Sequence, residues 1–117
     1  MLSGIHFKFT SPTEITALEK AASALSLIEG VEKAIFFGSR MRGDFEGPSD
    51  LDILIVITEI SLKDQVIRAL HDIELEQDVP ISPTIMTVKE YETNKRMRSG
   101  FIENVEREGG VLYDFKR

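Results

Sequence analysis

Apolar positions along the chain follow two patterns. After Ser11, the residues Ile15, Leu18, Ala22, Leu25 and Ile28 recur at helical spacing, which predicts an amphipathic helix with one face on a core. Ser11-Pro12-Thr13-Glu14 supplies its start: Ser11 can cap, Pro12 suits the first helical position, and Glu14 falls where a capping box needs it. Gly30 is the predicted stop. The same period returns as Val66, Ile67, Leu70, Ile73 and Leu75, a second helix for which Ser61 can serve as the cap. Between the helices lie two dense apolar runs, Val31 to Phe37 and Leu51 to Ile57. They predict strands buried on both faces.

The remainder is shorter and more mixed. Pro80 to Thr87 predicts a third strand, in which Pro83 cannot donate to a ladder and so marks an edge or a bulge. Val88 to Asn94 suggests a short helix, and a last helix from about Ser99 to Glu108 stops at Gly109-Gly110. Val111, Leu112 and Tyr113 then read as a short strand or docking segment. At the start, Ile5, Phe7 and Phe9 alternate with His6 and Lys8, as a short strand would. The order helix, strand, turn, strand, helix, strand, helix predicts an α/β or α+β fold, with helices packed against one sheet.

The two central runs are joined by residues of another kind. The first ends in Gly38-Ser39; ten residues follow; Asp50-Leu51-Asp52 opens the second. Residues two apart on a strand share a face, so Asp50 and Asp52 project side by side. Two acids on one face at a buried strand's mouth repel each other and resist burial. A divalent cation between them removes that penalty, and hard oxygen ligands of this kind suit Mg²⁺. Gly38 has no Cβ, so a phosphate can approach its backbone. Ser39 offers a hydroxyl and an N–H at a strand-to-helix turn, with one helical turn expected over residues 39–43, and a helix N-terminus favours anions. Arg40 and Arg42 are within reach to clamp phosphate oxygens. Gly43, Gly47 and Pro48 make the rest a loop, where Asp44 and Glu46 read as solvated acids.

This pattern resembles that of the nucleotidyltransferase superfamily of DNA polymerase beta type, and within it the minimal nucleotidyltransferases of prokaryotes. The resemblance covers most of the chain and implies a mixed central sheet flanked by helices, with the acid pair at one strand's end. It implies in-line attack of an acceptor oxygen on the α-phosphate of a nucleoside triphosphate, with pyrophosphate leaving and metal ions stabilising both oxygens. Asp50 and Asp52 would be the catalytic and metal-binding acids. Gly38, Ser39, Arg40 and Arg42 would bind the nucleotide, ATP being the expected substrate and Mg²⁺ the cofactor. Small proteins of this kind are often paired with a helical partner of the HEPN family, in which the nucleotidyltransferase is the antitoxin and some members transfer AMP to the toxin. The leading expectation is adenylylation of such a partner. The alternative is a weakly active or inactive nucleotide-binding module that regulates a partner by contact.

Composition narrows the field further. A chain of 117 residues is read as one nucleotidyltransferase domain over 1–117. Without an added acceptor-binding domain, the acceptor must be small or come with another chain. The chain has no cysteine, which removes disulfides and thiolate chemistry and fits a cytoplasmic setting. No apolar run approaches the roughly 20 residues of a membrane span. A net charge of −6 disfavours nucleic acid as a partner; self-association is left open. His6, His71 and the basic run Lys95, Arg96 and Arg98 read as surface. One departure stands out. The superfamily places a third carboxylate on the next strand, yet Ile81-Ser82-Pro83-Thr84-Ile85-Met86-Thr87 contains no acid. By alternation Ser82, Thr84 and Met86 share a face, and Ser82 and Thr84 would stand where the third acid is expected. Glu76 and Asp78, just before that strand, are the nearest substitutes in sequence.

Overall fold

The structure is a computed structural model, and it describes residues 10–38 and 50–116. Helix α1, Pro12–Ser26, leads into strand β1, Val31–Phe37, and after residues 39–49 the chain re-enters as β2, Leu51–Ile57. A short 3₁₀ turn, Ile60–Leu62, precedes α2, Lys63–Gln77; β3, Ile81–Thr87, follows. The described chain closes with α3, Val88–Arg96, α4, Gly100–Glu108, and β4, Gly110–Asp114.

The four strands form one mixed sheet in the order β3-β2-β1-β4. β1 runs antiparallel to both β2 and β4, whereas β2 and β3 are parallel. A parallel pair needs a crossover, and α2 provides it. The mixed α/β architecture expected from the sequence is therefore what forms. β1 and β2 are the central strands, with alternate residues entering different cores. Ala34, Phe36, Leu51, Ile53, Ile55 and Ile57 pack with Ala17, Leu18, Leu25, Val66 and Leu70 of α1 and α2. Ile35, Leu54 and Val56 pack on the other face with Tyr91 of α3 and Ile102 and Val105 of α4. Each face buries a separate apolar cluster, which accounts for strands that read as unbroken apolar runs. β3 is an edge strand, so Pro83 sits where a missing N–H is tolerated.

Helix ends follow local chemistry. Ser11 Oγ accepts from the Glu14 N–H at 3.2 Å while the Ser11 N–H donates to Glu14 Oε1 at 2.7 Å, a complete capping box. Thr87 and Glu90 form another at the start of α3. Ser99 caps α4, its Oγ accepting from the Ile102 N–H.

Three expectations need correction. Gly30 does not end α1, which stops at Ser26; Gly30, at φ +100°, turns the chain into β1 instead. Ser61 does not cap α2, because the 3₁₀ turn intervenes and Ser61 Oγ donates to Glu59 Oε2. Ile67 and Leu75 fall outside the buried stripe of α2, with Leu75 71% exposed. The predicted N-terminal strand and His6 lie outside the described residues.

Candidate active site

The antiparallel pairing of β1 and β2 assembles the site. Phe37, the last residue of β1, stands opposite Asp52 near the start of β2. Gly38 follows directly, so the glycine and the acid, distant in sequence, meet at one edge of the sheet. Their approach is close. Gly38 has φ +92°, and a Cβ built there would collide with the Asp52 carboxylate and lie only 3.1 Å from its Cγ. Two independent facts thus require glycine: a left-handed backbone and the adjoining carboxylate.

Asp52 shares parity with Leu54 and Val56 and so belongs to the face that carries α3 and α4. Asp50, immediately before β2, has the same parity and is exposed. The two acids are thus on one side at a strand mouth, Asp50 in solvent and Asp52 half-buried. Ser39, Arg40 and Arg42, with the loop acids Asp44 and Glu46 and the turn expected at 39–43, lie outside the described residues.

A cavity of about 360 Å³ opens at this edge. Phe37, Gly38 and Asp52 line it from the sheet, and Phe101, Asn104 and Glu108 from α4. Phe37 and Phe101 meet edge to face, with centroids 5.3 Å apart at 85°. The contribution of α4 did not emerge from the sequence, where Glu108 marks only a helix end. The signal available was the acid placed directly before Gly109-Gly110, at the point where a helix returns onto a strand.

On the opposite side of Asp52, the β3 partner in register is Ser82, while Thr84 pairs with Leu54. No carboxylate of β3 is therefore offered to the acid pair. Glu76 is engaged elsewhere, forming an ion pair with Lys20 of α1, and Asp78 is the left-handed residue that ends α2. Among the described residues no three acids converge closely enough to hold a metal ion. Two carboxylates with hard oxygen donors do fit a Mg²⁺ ion that retains waters and completes its shell with phosphate oxygens.

A mixed sheet of this order, with a glycine turn seated against an acid-bearing strand mouth, defines a nucleotidyltransferase domain. Residues 19–117 match the family described as Polymerase beta, Nucleotidyltransferase, and the chain belongs to that family. Two relatives come from Methanocaldococcus jannaschii. "Putative protein adenylyltransferase MJ0141" is 33% identical over 86 residues, covering 71% of this chain and 80% of that protein. "Putative protein adenylyltransferase MJ0604" is 37% identical over 83 residues, covering 71% and 79%. The crystal structure of a "putative nucleotidyltransferase" from Sulfolobus solfataricus has the same fold, with a TM-score of 0.50 at 17% identity over 94% of this chain and 95% of that one.

Proposed function

We propose that this protein transfers AMP from ATP, with Mg²⁺, to a hydroxyl group on a partner protein, and that the partner is of the HEPN type, with this chain acting as its antitoxin. The observation that carries the reading is the seat of Gly38 against Asp52. It brings a bare backbone turn suited to phosphate and a carboxylate suited to a cation to one point. Two protein adenylyltransferase names among the relatives agree with it. Asp50 and Asp52 would hold Mg²⁺, which when bound offsets phosphate charge and polarises the α-phosphate. Gly38 leaves room for the β- and γ-phosphates, and Ser39, Arg40 and Arg42 are assigned to them by the sequence pattern. The cavity beside α4 leaves space for the acceptor. No helix among the described residues is long and apolar enough to cross a membrane, and a cytoplasmic setting is part of this reading.

A second reading rests on the absence of a carboxylate opposite Asp52 on β3. In it the domain binds nucleotide and regulates its partner by contact, with little or no transfer. The two are separated by incubating the purified protein with α-labelled ATP, Mg²⁺ and the protein encoded beside it. Adenylyl transfer predicts label on the partner. An unlabelled partner that is nonetheless inhibited in a stable complex would establish the contact-only reading.

A further inference from the structure

We infer that Glu108 supplies the proton acceptor for the incoming hydroxyl, a carboxylate delivered by α4 instead of by β3. This rests on the adenylyl-transfer reading and names a residue for it.

Three observations converge on Glu108. It lines the same cavity as Asp52 and Gly38, approaching from the helical side. The register position where a strand carboxylate would flank Asp52 holds Ser82, a hydroxyl that cannot take a proton at neutral pH. The third observation is how the end of α4 is held. A Cβ at Gly109 would strike Val105 O and Ile35 Cγ2 and lie 3.1 Å from Phe36 O. Gly109 has an ordinary extended backbone, φ −78° and ψ 159°, so the requirement there is close approach alone. The last turn of α4 thus rests on the main chain of β1 two residues before Gly38. That fixes the height of Glu108 beside the phosphate turn.

The arrangement assigns Glu108 a role different from that of Asp50 and Asp52. No three described acids form a metal cluster, and Glu108 lines the cavity from α4 whereas Asp52 lines it from the sheet. Its side chain is about one-third exposed, with Arg107 Nη2 at 3.3 Å from Oε1. A carboxylate there can accept a hydrogen bond from the acceptor's O–H and align it. As the acceptor oxygen bonds to the α-phosphorus, the bond from that phosphorus to the bridging oxygen breaks. Pyrophosphate leaves with that electron pair, and the hydroxyl proton passes to Glu108.

The test uses water as the probe acceptor, following AMP and pyrophosphate release from Mg-ATP by the full chain. Glu108→Gln keeps the size and a hydrogen-bond acceptor but cannot take the proton. It should lower kcat by about 100-fold, the low end for a general base, while KM for Mg-ATP stays within about twofold. Glu108→Asp should recover part of the loss. Wild-type kcat in Glu108→Gln would overturn the assignment, as would a loss confined to KM, which would make Glu108 a nucleotide-binding residue. Absence of AMP release by the wild type, with water or with the partner, would instead refute adenylyl transfer itself, and the assignment would fall with it. A lowered melting temperature in Glu108→Gln without a change in kcat would mark a purely structural residue and also overturn it.

Discussion

At the scale of single residues, Gly38 is the most constrained position. A side chain there meets two separate penalties: the left-handed backbone, roughly 1–2 kcal/mol for an L-residue, and the collision with Asp52. These penalties can be told apart by a double-mutant cycle. Gly38→Ala should destabilise the protein by at least about 1 kcal/mol and weaken nucleotide binding by displacing Asp52. In an Asp52→Ala background the same change should cost less, because only the backbone penalty remains. Denaturant titrations of the four proteins measure this coupling. Strict additivity would show that the two residues are not in contact. The sequence pattern explains Gly38 by the phosphate alone; the neighbouring carboxylate is visible only once the strand register is known.

At the scale of elements, the placement of α4 decides what faces the acid pair. Its partner is α3, and the tie between them is Tyr91. The Tyr91 hydroxyl donates to Glu106 Oε2 at 2.6 Å, and Lys33 and Lys95 lie over its ring at 5.6 and 5.7 Å. Burial, followed by the hydrogen bond to Glu106, pushes the Tyr91 hydroxyl's pKa upward. Burial works to raise Glu106 as well, but the Tyr91 bond and the Lys95 charge together outweigh it and hold that carboxyl below its ordinary value. A carboxyl lowered on folding adds stability above its unfolded pKa, and that stability is lost as pH falls through the folded value. Tyr91→Phe should therefore cost about 1 kcal/mol at neutral pH, a charge-assisted hydrogen bond discounted for partial exposure. The difference from wild type should shrink as Glu106 becomes protonated. Urea midpoints across the acid range would record it, and a difference that does not change with pH would remove Glu106 from the account.

Element by element, what could be read from the chain depended on how local the determinant is. Capping boxes are read within four residues, so Ser11-Glu14 was legible from sequence. Ser61 was misleading because a 3₁₀ turn can take up a capping residue before the helix begins. Leu75 is apolar yet stands two residues past Ile73, off the helix face that Val66, Leu70 and Ile73 bury. The side chains of α4 were not legible as site residues, since their nearness to Asp52 depends on the return of Gly109 to β1, a long-range event with no local signature.

At the scale of the whole molecule, function depends on topology. An antiparallel pair places the exit of one strand beside the entry of the next, and here that joins Gly38 to Asp52 across residues 39–49. The parallel β2–β3 pair puts the β3 entry at the same edge, where it contributes Ser82. α4 lines the cavity at that edge with Glu108. We propose that this edge binds a nucleoside triphosphate through a cation held by Asp50 and Asp52. Calorimetric titration of Mg-ATP into the wild type and into Asp50→Asn/Asp52→Asn tests it most directly. Binding by the wild type should depend on Mg²⁺, and the double variant should lose at least about tenfold, or 1.4 kcal/mol, with its melting temperature unchanged or raised because two neighbouring like charges are gone. Equal Mg-ATP affinity in the two proteins would contradict it.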